Sequence, residues 1–318
     1  MPRLGGLAVF GGFCFPWAGF YILDNRVTDT FQNYEKLFYS LVLGATAMLL
    51  LGIYDDLKGL TAPKKFAVQI LVAIGLYLGG FRITLLSNPF GEPIELGWLS
   101  LPASVFWIVA ITNAMNLLDG IDGLVTGVTA SIALSLAIIN VLAGNIIIAL
   151  LTLCLAGSCL GFLPHNFAPA RIFLGDTGSL FLGVVLACIG MYSLFKETTA
   201  TLILVPVILF GLPLFDTTSV VLGRMRRRAP LFQADKSHVH HRLLQMGLTQ
   251  KQAATFLYGI TVLLGGMAVW LNLNQSPDGV FLVGLLTLGF AMLIWMIWRR
   301  HSRSAKADKT ALGEFETK

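Results

Sequence analysis

The sequence predicts an all-α, polytopic integral membrane protein with about ten transmembrane helices, and three observations carry that prediction. Of the 318 residues, 56% are hydrophobic and only 12% are charged, about half the charged share of a soluble globular domain. A larger soluble core does not explain the deficit, because a protein of this size still needs a polar shell; lipid covering much of the surface does. The apolar residues also fall in runs of roughly the 20 needed to cross a bilayer. Finally, lysine and arginine are shared very unevenly among the segments between those runs.

In chain order the expected spans are 4–23, 37–54, 66–81, 99–118, 124–143, 145–163, 177–195, 201–222, 255–273 and 279–298. Asp55 and Asp56 end the second span, Asp119 and Asp122 follow the fourth, Asp176 precedes the seventh, and Asp216 lies near one end of the eighth. The segment 82–98, with Arg82, Pro89, Gly91 and Pro93, is too polar and broken to span, so a short hairpin or interfacial segment is expected there. Residues 1–298 read as one transmembrane domain with no inserted soluble domain, and 299–318 as a basic, disordered tail. No cluster of positive charge stands before a short apolar run and a cleavage site, so no secretory signal is visible at the N-terminus. Cys14, Cys154, Cys159 and Cys188 all sit in apolar stretches without metal-site or CxxC spacing, and read as small core residues.

Orientation follows from the basic residues. With the segments alternated between the two sides, the side bearing the N-terminus holds eighteen of the 22 lysines and arginines. That side is expected to be cytoplasmic, with both termini on it. The net charge of +5 belongs to this asymmetry; no basic groove interleaved with aromatics accompanies it, so nucleic acid is not an expected partner.

The acids carry the chemistry. A carboxylate at the bilayer centre costs roughly 2.5–3.5 kcal/mol on insertion scales, so those kept at span ends usually serve a function or a water-filled cavity. Asp55, Asp56, Asp119, Asp122, Asp176 and Asp216 all fall on the predicted cytoplasmic side, where gathering them without a cation would be repulsive. In Asn113-Ala-Met-Asn116-Leu-Leu-Asp119-Gly-Ile-Asp122-Gly123 a polar residue recurs every third position as an apolar helix ends. Positions three apart neighbour one another on a helix face; simple capping by Asp119 or Asp122 is the alternative. Asp176, in Phe173-Leu-Gly-Asp176-Thr-Gly-Ser179, reads either as an oxygen ligand for Mg²⁺ or as a plain helix cap with Thr177. The free amides at that helix start would favour a phosphate. Asp55-Asp56-Leu-Lys58 joins two acids to a cation, and three of the five histidines fall in His238-Val-His240-His241-Arg242. Zinc is one reading of that cluster, but its cationic surroundings suit phosphate and sugar better. Arg224 to Arg228 reads as a positive-inside run touching anionic lipid.

Taken together, these segments resemble the polyprenyl-phosphate N-acetylhexosamine-1-phosphate transferases. The resemblance runs in order through Pro2 to Gly6, Asp55-Asp56, Asn113 to Gly123, Phe173 to Gly183 and His238 to Leu244. The stretch Phe232 to Ser237 and the His-Val-His-His-Arg loop look like the WecA/TagO branch rather than the MraY branch, whose motif is a triple histidine. The resemblance implies a bacterial plasma-membrane enzyme with its active site facing the cytoplasm. Such an enzyme moves GlcNAc-1-phosphate from UDP-GlcNAc to undecaprenyl phosphate, with Mg²⁺, or Mn²⁺ in its place, as cofactor. It implies Asp176 as the principal metal ligand with Asn116 beside it, and Asp55 and Asp56 at the lipid phosphate and metal. Asn113, Asn116, Asp119 and Asp122 would orient the nucleotide sugar, and His240, His241 and Arg242 would hold its phosphates or sugar. Lys58 and Asn166 join the substrate-binding set by proximity to the motifs. A homodimer is left open. Relatives usually carry a further membrane helix and a basic segment ahead of the Pro2–Gly6 motif, so donor-binding groups from such a segment are expected to lie outside this sequence.

Three other classes fit less well. Aromatic prenyltransferases need an NDxxD-like spacing that Asn116-Leu-Leu-Asp119 lacks. CDP-alcohol phosphotransferases need Ala-Arg where Leu124-Val125 stands. Ion-coupled transporters place carboxylates near the midplane of repeated halves, whereas these acids sit at helix ends and no repeat is found.

Overall fold

The computed structural model describes residues 4–22, 31–86, 93–195, 204–228 and 238–274, with four further residues between 281 and 289. Met1–Leu273 form one compact unit; of the second, Asn274–Lys318, only Asn274 and the helical Phe281, Gly284, Leu285 and Gly289 are described. The tail 299–318, nearly all of the expected span 279–298, and the stretch Phe232 to Ser237 lie outside the described residues.

The first unit is helical: α1 (Gly5–Ile22), α2 (Glu35–Lys58), α3 (Ala62–Gly79), α4 (Ser100–Leu118), α5 (Leu124–Leu142), α6 (Ile146–Asn166), α7 (Gly175–Phe195), α8 (Leu204–Leu209), α9 (Gly211–Arg227), α10 (Val239–Gln245) and α11 (Gln250–Leu273). Among the described residues seven helices are long and apolar enough to cross a membrane. Helices dominate because lipid offers no partner to a backbone amide, so each segment must satisfy its own. Buried hydroxyls follow the same rule: Thr112, Thr152 and Thr261 donate to the carbonyls of Ile108, Ile148 and Leu257, one turn back, at 2.7, 2.8 and 2.9 Å. The protein is an all-α, multi-pass membrane protein.

The helix α7 is the hub, with 89% of its apolar stretch buried against 17% for the peripheral α3. Small residues bring its neighbours in. A Cβ on Gly6 would stand 2.3 Å from the Gly178 nitrogen, and one on Gly52 would stand 2.4 Å from the Asp176 carbonyl oxygen. Only glycine lets α1 and α2 reach the backbone of α7 at its first turn. The first amides of α1 are also satisfied there, Gly5 and Gly6 donating to the carbonyls of Phe173 and Leu174 at 3.0 and 3.1 Å.

Most expected spans match. The segment 82–98 holds a short antiparallel pairing of Leu85–Leu86 with Ile94–Glu95, as its composition led one to expect. The span 201–222 is a correction: it is not one helix but two, α8 and α9, meeting at Phe210. Pro213 explains the break, since it has no N–H to donate to Leu209 and its ring crowds that carbonyl. The buried Phe210 ring fills the corner, edge-on to Trp107 at 5.4 Å. The spans drawn as 37–54 and 145–163 run on to Lys58 and Asn166, which places Asp55, Asp56 and Lys58 inside the last turn of α2.

Candidate active site

Several helix ends converge at one end of the bundle, and the first contact there is a helix cap supplied from another helix. Asp56, in the last turn of α2, accepts the Asp176 and Thr177 amides at 3.1 and 2.9 Å and the Thr177 hydroxyl at 2.7 Å. A carboxylate facing a helix N-terminus is favoured by both the unpaired amides and the helix dipole. Two of the amides expected to be free for a phosphate, those of Asp176 and Thr177, are therefore taken by Asp56. Nor is Asp176 or Thr177 the capping residue.

The Asp176 side chain is held from two sides. Asn116, at the end of α4, donates through Nδ2 to Asp176 Oδ1 and to Ser179 Oγ, both at 2.9 Å. The Lys65 ammonium, from the first turn of α3, bridges Asp176 Oδ2 and Asp55 Oδ2. Asp55 Oδ1 takes the Leu60 amide at 2.5 Å. Sequence reasoning missed Lys65, which was absorbed into the positive-inside count. A signal was present: a lysine in the first turn opposes the helix dipole and needs another reason to be there.

Beyond α4 the chain turns through Asp119-Gly-Ile-Asp122-Gly123, opposite the loop 167–174. Asp122 Oδ2 accepts the Ala170 amide at 3.0 Å. The buried Asn166 accepts the Thr126 hydroxyl at 2.8 Å and donates to the Ile172 carbonyl at 3.0 Å, so it ties turn and loop together. Gly123, at φ +79°, closes the turn, and its carbonyl accepts the Tyr258 hydroxyl of α11 at 2.6 Å. Between turn, loop and α7 lies a cavity of about 330 Å³ lined by Asp56, Asp119, Asp122, Asn166, Phe173 and Asp176, among others. Asp119 is pushed up to about 8, first by desolvation and then by the charges of Asp176, Asp56 and Asp122.

The short helix α10 carries the histidines onto this turn. His240 is buried, and a Cβ on Gly120 would lie 2.0 Å from its Nε2, so glycine is required for the ring to rest there. Among the described residues neither ring nitrogen of His240 has a hydrogen-bond partner. Burial, then the neighbouring His241, holds its pKa down to about 4, so the ring is neutral at pH 7. The His241 ring lies 4.3 Å from it, and Arg242 follows half-buried on the same helix. Asp216 of α9, fully buried, accepts His238 Nδ1 and the Val239 amide, each at 2.7 Å.

The structure thus gathers most of the expected residues. Asp56, Asp119, Asp122, Asn166 and Asp176 line the cavity, while Asp55, Asn116 and His240 contact its walls. Two expected residues stand apart. Asn113, one turn back from Asn116, points at Gln69 and the Val109 carbonyl, because three positions rotate a helical side chain most of a turn but not a full one. Lys58 is exposed, its ammonium over the Tyr54 ring at 5.3 Å.

The donor set fits a hard divalent cation. Among the described residues no three acids or imidazoles converge closely enough to hold an ion unaided. Mg²⁺ typically takes only one or two carboxylates, with substrate phosphates completing its shell. Asp119 accepts no hydrogen bond among the described residues and is burdened by three neighbouring acids, a repulsion that a cation would relieve.

Fold and site define a polytopic all-α membrane enzyme with a carboxylate-lined cavity at the ends of its spans. Comparison with known proteins gives the family. Residues 38–194 match the profile of glycosyl transferase family 4. The chain is 39% identical over 281 residues to a probable undecaprenyl-phosphate N-acetylglucosaminyl 1-phosphate transferase of Bacillus subtilis, covering 86% of this chain and 76% of that one. It is 32% identical to a decaprenyl-phosphate N-acetylglucosaminephosphotransferase of Mycobacterium tuberculosis (94% and 79% covered). It is also 32% identical to a phospho-N-acetylmuramoyl-pentapeptide-transferase of a Synechococcus strain (84% and 77% covered). The chain belongs to glycosyl transferase family 4 and is a phosphotransferase.

Proposed function

We propose that the protein transfers N-acetylglucosamine 1-phosphate from UDP-N-acetylglucosamine to undecaprenyl phosphate in the bacterial plasma membrane, releasing UMP on the cytoplasmic side. The observation that carries this reading is the cavity at the ends of the spans, lined by carboxylates from three segments, one of which, Asp176, is held by Lys65 and Asn116. A lipid phosphate and a soluble nucleotide meet only at such a boundary. The relatives' names, which pair a polyprenyl phosphate with an amino sugar, support the substrates.

In the reaction an oxygen of the lipid phosphate attacks the donor's β-phosphorus, the bond from that phosphorus to the bridging oxygen breaks, and UMP leaves with the electron pair. Such chemistry depends mainly on positioning and charge neutralisation. Mg²⁺ or Mn²⁺, held by Asp176 with Asn116 and Asp119 near it, would supply Lewis-acid neutralisation of the phosphates. Asp56 keeps the first turn of α7, and so Asp176, in place. Lys65 offers its ammonium to the incoming phosphate oxygens. Asp122 and Asn166 hold the loop opposite the cavity, and His240, His241 and Arg242 close the donor side. The lipid phosphate is already largely ionised at pH 7, so no general base is required.

The test is purified protein with polyprenyl phosphate, a panel of UDP-sugars and graded Mg²⁺, scored by UMP release. The expected result is turnover with UDP-GlcNAc that disappears on chelation. Turnover with UDP-MurNAc-pentapeptide alone would move the protein to the other branch of its family, and none with any UDP-sugar would end the proposal. Orientation is tested by labelling Ser237→Cys from outside the cell, where protection is expected.

A further inference from the structure

Asp216 is a fully buried carboxylate that the mechanism above does not use, and it does not line the cavity. Both of its oxygens are committed to the segment that leads into the histidines: Oδ2 to His238 Nδ1 and Oδ1 to the Val239 amide, each at 2.7 Å. A carboxylate accepts, so His238 Nδ1 carries the hydrogen. Val239 is the first residue of α10, and its amide is one of those that a helix cannot pair internally. With seven residues α10 is too short to be stable alone. Its place depends on what it is tied to.

The tie leads directly to the site. His238 stacks on His240, ring centres 5.6 Å apart and planes within 11°. His240 in turn rests on Gly120, inside the turn that carries Asp119 and Asp122. Among the described residues the His240 ring has no hydrogen-bond partner of its own, so its orientation is set through His238 and α10.

We infer that Asp216 is a positioning residue, which holds the histidine helix α10 against the Asp119–Asp122 turn from the far side of His238. This rests on the transferase reading, because it assigns that loop to the donor. A positioning role differs from a general packing role in where damage appears. Losing the tie should disorder α10 and weaken the donor step, while leaving the α5 and α7 core and the cation dependence as they were.

The experiment compares Asp216→Ala, Asp216→Asn, His238→Ala and the double variant Asp216→Ala/His238→Ala, by steady-state UMP release and by hydrogen exchange resolved along the chain. Asp216→Ala should lower kcat/KM for the donor about a hundredfold, the order expected when reacting groups are misplaced by about an ångström. The Mg²⁺ activation curve should not shift. Asp216→Asn keeps an acceptor for the Val239 amide and should recover part of the loss. The double variant should be little worse than Asp216→Ala, because the two residues act through one contact. Amides 239–245 should lose protection in Asp216→Ala while those of α5 and α7 keep it. Wild-type protection at 239–245, wild-type kinetics, or losses that multiply in the double variant would each overturn the inference. If Asp216→Ala does not fold, Asp216→Asn and His238→Ala carry the same comparison. If the wild type itself releases no UMP from any UDP-sugar, the transferase reading fails, and the exchange data still decide the tie.

Discussion

Gly120→Ala is the smallest change that tests whether the histidine helix and the acidic turn are built as one surface. The added methyl would lie 2.0 Å from His240 Nε2 and 2.5 Å from its Cε1, where van der Waals contact begins near 3.4 Å. The ring must therefore retreat by more than an ångström. It has little room: His240 is 1% exposed, with the His238 ring 5.6 Å and the His241 ring 4.3 Å away. Overfilling a packed site costs about 1–3 kcal/mol, and Gly120 is not at a positive φ, so the backbone adds no strain. The stability loss should be modest and local. Activity should suffer more, about a hundredfold in kcat/KM, because Gly120 lines the cavity and its turn must shift against the ring. The assay is UMP release beside a thermal melt of the detergent-solubilised protein. Gly120→Ala/His240→Ala should regain most of the lost stability, since the clash is gone, without regaining activity. Kinetics within about twofold of wild type for Gly120→Ala would refute the packing argument, since a methyl cannot share that space with a fixed imidazole.

Other predictions follow from single contacts. Asp176→Asn should abolish turnover at limiting Mg²⁺ while leaving the melt near wild type, because an amide replaces an anionic cation ligand poorly; near wild-type rates would reduce Asp176 to a structural role. Asp119, raised to about 8, holds its proton in the folded state through a range where the unfolded chain has lost it. In cation-free buffer its contribution to stability should therefore fall as pH rises from about 4 to 8. His240, lowered to about 4, acts with the opposite sign between pH 4 and its unfolded value near 6.5, so the window from pH 6.5 to 8 isolates Asp119. The melting temperature should fall across that window in the wild type and less in Asp119→Asn; parallel curves would show that the carboxyl titrates normally. Tyr258→Phe removes one hydrogen bond to the Gly123 carbonyl and keeps the ring. It should cost about 1 kcal/mol and raise the donor KM more than it lowers kcat, and a variant with unchanged stability and KM would show that the turn is held without it.

How much of this was legible before folding depends on the range of the interaction. The all-α architecture, most span boundaries, the hairpin in 82–98 and the collection of Asp56, Asp119, Asp122 and Asp176 around one cavity were all readable from the sequence. Lipid forces each span to satisfy its backbone locally, so length and polarity mark the helices and their ends. Acids expelled from the apolar interior collect where helices stop. What a side chain touches across helices was a different matter. Lys65 meets Asp176 over 111 residues of chain, Asp56 caps a helix 120 residues away, and Asp216 reaches His238 across 22. No periodicity encodes those pairings. Asn113 and Asn116 look equivalent in a row of polar residues, yet a rotation of three positions turns one toward Gln69 and the other toward Asp176. The sequence by itself determined that this is a helical membrane protein with its acids at the ends of its spans. Only the tertiary structure decided which acid caps, which lines the cavity and which ties another element in place, because each position is set by the partner that helix packing delivers.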